Sequence, residues 1–268
     1  MSHLFNTFHT KRINVFFDES GKGIKQRPNL LGSLSIPKKI YDCDDIQYMN
    51  WFLRKKSFHI HWKNYNGGRM DKANIQNLIE LFISYKDLIK LNIINYHYGF
   101  LSSQPLFEQK DVEATIYSKL PERLIYGLIR GYGSEATVAA DIYIEAANEY
   151  ERINLNETLV TDLNSQSLYR GEKFIATSCE MLPKNTEVGL ELTDVLLGLI
   201  RTIIQNPNIE GAGRSTKEKV NFTVELLQDK GLKNILSDIK YYEWRGHKQL
   251  TQINFSDYID SFLLQHHY

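Results

Sequence analysis

The spacing of apolar and polar positions changes several times along this chain, and each change marks an element. Ile13, Val15, Phe16 and Phe17 form an apolar run that ends on two acids, Asp18 and Glu19, followed by a Ser-Gly turn. A short apolar run stopped by a turn predicts a buried strand over about residues 13–18. The run LLGSLSIP, closed by Pro37, predicts a second strand that forms a hairpin with the first. A helix is expected at about 44–55. In FHIHWKNY, Phe58, Ile60 and Trp62 alternate with His59, His61 and Lys63, which is the period of a half-buried strand with a polar face.

Asp71 is then placed to cap a helix whose Ile75, Leu78, Ile79, Phe82 and Ile83 form one apolar stripe. LIKLNIINYHY predicts the next strand, and the helical pattern of 108–130 must kink or divide at Pro121. TVAADIYIEA predicts a strand, a helix follows at about 155–168, then the strand KFIATSCEML, then a helix at about 187–205. Strands that come first in succession and later alternate with helices predict an α/β fold with mixed pairing in the sheet. The polar loop NPNIEGAGRSTKEK is the candidate boundary. Amphipathic stretches at about 216–229, 232–240 and 255–265 predict a helical extension (206–268) packed on a main domain of residues 1–205.

Composition adds little to that picture and charge adds more. The 268 residues are 42% hydrophobic and 24% charged, enough for a sizeable core. MSHLFNTFHTKR lacks the apolar segment of a signal peptide, and Glu191 and Asp194 interrupt the most apolar stretch, VGLELTDVLLGLI. A cytoplasmic protein with no membrane span is therefore expected. Cys43 and Cys179 are isolated and read as free thiols. A net charge of zero argues against a protein that simply coats nucleic acid. The charge is nonetheless uneven: residues 1–70 hold 12 Lys/Arg against 5 Asp/Glu, and the remainder 20 against 27. That polarity predicts a basic face beside an acidic cleft.

Three places put acids where the pattern would favour apolar residues. Asp18 and Glu19 end the first strand. Asp141, Tyr143 and Glu145 share one face of DIYIEA, with Ala140, Ile142 and Ile144 on the other. Glu187, Glu191 and Asp194 fall at i, i+4 and i+7 of a helix, while Leu192, Val195, Leu196 and Leu199 serve the core. Singly, each has a plain structural explanation, since strand-end acids are solvated and first-turn acids complement the helix dipole. Together they are the ingredients of a site for Mg²⁺ or Mn²⁺, where hard oxygen ligands leave positions for water and phosphate. Two ions about 3.5–4 Å apart would activate water and stabilise the leaving oxygen in phosphodiester hydrolysis.

FFDESG, DIYIEA and LELTDVLLGLI, in that order over residues 13 to 205, resemble the signatures of the domain of unknown function 3800 family, which is similar to ribonuclease H-like nucleases. The resemblance implies a ribonuclease H-like mixed sheet of about five or six strands flanked by helices, and nuclease activity dependent on Mg²⁺ or Mn²⁺. It implies Asp18, Glu145 and Asp194 as metal ligands, with Glu19, Asp141 and Glu191 in support. Glu191 stands where the family has Gln, Glu145 stands where it has Asp, and Asp141 is the competing match in that strand. His61 and Lys63 are implied as groups that contact the phosphate or assist proton transfer. DNA or RNA is the implied partner, with a role in bacterial defence or mobile-element biology.

Two other readings accompany this one. The fold could serve as a non-catalytic module that binds nucleic acid or protein, or as a hydrolase of small phosphorylated molecules. The aromatic C-terminal helices are a candidate face for a protein partner or a second copy of the chain. GKG at 21–23 lacks the spacing of a P-loop, and Ser20 lacks the GxSxG context of a serine nucleophile.

Overall fold

The computed structural model describes residues 10–23, 25–56, 60–132, 136–244 and 249–266. Its strands are β1 (Lys11–Ser20), β2 (Asn29–Pro37), β3 (Lys90–Tyr96), β4 (Val138–Glu145), β5 (Phe174–Leu182), β6 (Lys240–Trp244) and β7 (Thr251–Ile253). They form one 7-stranded sheet in the order β5-β4-β1-β2-β3-β6-β7. β2 runs antiparallel to both β1 and β3, whereas β4 is parallel to β1 and to β5.

Helices α1 (Lys38–Tyr41), α2 (Asp44–Arg54) and α3 (Arg69–Ile83) lie between β2 and β3. Between β3 and β4 come α4 (Tyr98–Ser102), α5 (Gln109–Ala114) and α6 (Leu120–Arg130), and between β4 and β5 come α7 (Asn148–Arg152) and α8 (Leu155–Arg170). After β5 follow α9 (Val188–Gln205), α10 (Arg214–Leu227) and α11 (Lys230–Ser237), and α12 (Ser256–His266) comes last.

The period-2 rule divides the core into two layers. Ile13, Val15 and Phe17 of β1 and Ala140, Ile142 and Ile144 of β4 pack with Leu124, Ile125 and Leu163 of α6 and α8. On the other face, Phe16 packs with Leu78 of α3, Leu196 of α9, Phe222 of α10 and Phe262 of α12. Helix α9 is buried over most of its circumference, so its polar residues are conspicuous.

The hairpin of β1 and β2 and the predicted strands β3, β4 and β5 are all present. The 108–130 helix does divide, through a π-helical turn at Thr115–Lys119 immediately before α6, which carries Pro121 in its first turn. Three expectations need correction. Phe58 and His59 lie outside the described residues, but the rest of FHIHWKNY is no strand: Trp62–Asn64 is a 3-10 turn. The Trp62 N–H that a strand would offer a neighbour goes instead to Asp194 Oδ2 at 2.9 Å. Asp71 sits inside the first turn of α3, whose N-cap is Gly68.

The C-terminal segment, expected as helical, also supplies β6, parallel to β3, and β7, antiparallel to β6. Its helices share the core layer of α3 and α9, and Tyr241 is buried against Phe255 and Tyr258. No helix of the described residues is long and apolar enough to cross a membrane. Cys43 and Cys179 are free.

Candidate active site

Parallel pairing of β1 with β4 sets Phe17 opposite Ile144, so the residues that follow each, Asp18 and Glu145, emerge side by side at the same end of the sheet. Helix α9 packs across β1 and β2, touches β4, and brings Asp194 to the same place. The three carboxylates line one cleft of about 660 Å³ with His61, Lys63 and Lys184. Asp18 is 5% exposed, and its Oδ1 accepts the Glu19 N–H at 2.7 Å. Burial and then the charges of Glu145 and Asp194 push its carboxyl well above the usual range, against the Glu19 N–H and the Lys184 ammonium. Glu145 Oε1 is 2.7 Å from Lys184 Nζ.

Asp194 is oriented by its neighbours. Its Oδ2 accepts from Trp62 N and contacts His61 Nδ1, both at 2.9 Å. The loop carrying these donors is held by Trp62, whose side chain packs against α9 at Gly198. A Cβ on Gly198 would come within 2.1 Å of the Trp62 ring, so only glycine permits this approach.

The remaining acids separate from this trio. Glu19 also lines the cleft, but as the next residue in β1 it points away from Asp18, and its Oε1 pairs with Lys22 Nζ at 2.6 Å. Burial raises its carboxyl, and Lys22 opposes the rise. Glu191 is 4% exposed, and its Oε1 accepts from Asn185 N at 2.6 Å, which fixes the loop that carries Lys184. Burial, with Asp194 and Glu145 adding to it, pushes Glu191 up to about 7 against the Asn185 N–H.

Asp141 does not line the cleft. It is buried farther back along β4, with Arg12 Nη2 at 2.9 Å and the hydroxyls of Thr177 and Ser178 donating to it. Of the two candidates in β4, Glu145 is thus the one brought to Asp18. Glu187 leaves the face it was predicted to share with Glu191 and Asp194. It occupies the N-cap position of α9, and its side chain turns to accept from Tyr41 Oη at 2.5 Å and pair with Arg54.

Sequence reasoning missed the basic wall of the cleft, which includes Lys184, Arg201 and Lys219. Arg201 was the legible one: it falls at i+7 from Asp194, two turns along the same face of an otherwise apolar helix. Lys219 had no local signal.

By charge and donor chemistry the site suits a divalent cation. Three carboxylate groups supply hard oxygen ligands, and Lys184 is the one lysine or arginine that forms an ion pair with any of them among the described residues. Among the described residues no three His, Cys, Asp or Glu side chains are already arranged to hold one ion.

No protein-family model and no curated protein matches the chain. Among solved structures, a mutant Bst-RNase HIII is similar at 13% identity with a TM-score of 0.39, over 84% of this chain and 64% of that one. Ribonuclease H2 from Pyrococcus horikoshii OT3 is similar at 12% identity with a TM-score of 0.37, over 83% of this chain and 96% of that one. Bst-RNase HIII in complex with Mn²⁺ is similar at 12% identity with a TM-score of 0.35, over 97% and 71%. Likeness at this level carries nothing about shared chemistry. The fold is of the α/β class the sequence predicted, a mixed sheet flanked by helices, with seven strands in place of five or six.

Proposed function

We propose that this protein is a nuclease that hydrolyses phosphodiester bonds of DNA or RNA with Mg²⁺ or Mn²⁺. The observation that carries this reading is the meeting of Asp18, Glu145 and Asp194, from two strands and a helix, in one cleft that also carries basic side chains. Asp18, Glu145 and Asp194 would hold the metal, which supplies Lewis acidity and an activated water. Glu191 supports the loop behind them. In the tautomer whose Nδ1–H donates to Asp194, the Nε2 of His61 would be an acceptor, placed to take a proton from the attacking water. Lys63 is exposed beside it and suited to the phosphate. A second reading, a binding module that keeps the fold without catalysis, draws support from the Lys184 ion pair, which already engages Glu145.

The test is cleavage of labelled single- and double-stranded DNA and RNA with Mg²⁺, Mn²⁺ or EDTA, comparing wild type with Asp18→Asn. Cleavage that requires metal and falls at least about a thousandfold in the variant is the expected result. No cleavage of any substrate, together with no metal binding by calorimetry, would transfer the case to the binding module.

A further inference from the structure

The carboxylates leave a difficulty for any polyanionic substrate, because a phosphate entering the cleft meets Asp18, Glu145 and Asp194. The opposite charge is concentrated in one corner. Arg201 stands two turns beyond Asp194 on α9, about 10 Å along the helix axis. Its guanidinium closes over the turn that follows Asp18 and Glu19: a Cβ on Gly21 would come 2.5 Å from Arg201 Nη1. Lys219, from α10, donates its Nζ to the Lys63 carbonyl at 2.9 Å, which brings the two lysines together. All three line the cleft.

These cations differ from the other bases of the cleft. Lys22 and Lys184 are matched to Glu19 and Glu145. Arg201, Lys219 and Lys63 take part in none of the ion pairs found among the described residues. Burial pushes the Arg201 guanidinium down. Burial and then Arg201 push the Lys219 ammonium down, Lys63 adding to this and Asp194 opposing it. Partly desolvated cations held near one another repel, and a bound anion relieves both the repulsion and the lost hydration.

We propose that Arg201, Lys219 and Lys63 form a subsite for a backbone phosphate of nucleic acid, next to the carboxylates. The choice of ligand rests on the nuclease reading, and the cation cluster itself does not. Arginine suits the role because its planar fork meets two phosphate oxygens at once. The cleft, at about 660 Å³, is larger than one phosphate would fill and leaves room for the chain on either side. The segment after residue 205 then completes the site through Lys219.

The test is binding of fluorescein-labelled single- and double-stranded DNA and RNA, followed by anisotropy in EDTA over a range of salt concentrations, so that cleavage plays no part. Arg201→Gln and Lys219→Gln should each weaken binding about 3- to 10-fold and lower the slope of log K against log salt by about one. Arg201→Lys should retain more affinity than Arg201→Gln. Lys173→Gln, just before β5 at the opposite end of the sheet, should change neither quantity.

Thermal melting checks that each variant is folded. Folded Gln variants with wild-type affinity and slope would overturn the subsite. So would inorganic phosphate displacing the oligonucleotide as well as an unlabelled oligonucleotide of equal phosphate content, which would indicate a small phosphorylated ligand. Loss of binding in the Gln variants of a protein that cleaves nothing would leave the subsite standing and remove the nuclease.

Discussion

Strand β4 carries two acids on one face, and the protein treats them differently. Asp141 is met by Arg12, Thr177 and Ser178, a set of donors that answers its charge locally. Four residues on, Glu145 joins Asp18 and Asp194: Lys184 pairs with Glu145, His61 and the Trp62 N–H meet Asp194, and Asp18, which accepts the Glu19 N–H but forms no ion pair among the described residues, is pushed well above its usual range. Glu187 and Glu191 repeat the contrast on α9. Glu187 is held by Tyr41 and Arg54, whereas Glu191 is raised to about 7. Asp18, Asp141, Glu187 and Glu191 are all buried, so the donors that answer the charge are what separate Asp141 and Glu187 from Asp18, the acid that the proposed function assigns to a cation.

The sharpest way to break this comparison is Asp18→Asn, read for activity and stability together. Cleavage should fall at least about a thousandfold while the melting temperature holds or rises, because the change removes a like charge and can preserve the bond from Glu19 N. A large loss of stability would put Asp18 with Asp141.

Glu191→Gln tests the same idea through pH. The folded-state value of about 7 lies above the ordinary 4.5, so the folded chain holds this proton more tightly than the unfolded chain does. That stabilisation is fully present below about 4.5 and is lost as pH rises to about 7. Gln lacks the titration. Denaturant titrations should therefore show the variant gaining on wild type by roughly 2–3 kcal/mol between those limits. A pH-independent difference would count against it. The smallest effect is expected from Asp141→Asn, which should cost about 1 kcal/mol of stability and leave cleavage unchanged. A cleavage defect in a folded Asp141→Asn protein would reopen the choice between Asp141 and Glu145.

Much of this was legible because local pattern and tertiary role agreed. The apolar run before Asp18, the alternation around Glu145 and the helical spacing of Asp194 each fixed an element and a face. His61 was legible as a residue but not in its setting. Ile60, Trp62 and Tyr65 are buried, and an inward-turned loop produces the same alternation as a strand when its backbone donors find side chains. Lys219 and β6 were hidden for another reason. Their partners, Lys63 and β3, lie some 150 residues earlier, and no local window contains that information.

The pairing of β3 with β6 has a consequence for how the chain is made. Until residues 240–244 leave the ribosome, the Lys90–Tyr96 edge of the sheet has no partner on that side, although its other side can already pair with β2. A nascent chain therefore carries an open, largely apolar strand edge from Tyr96 until Lys240 is made, an invitation to pair with another chain. Strand β6 is thus also the cover that ends this exposure.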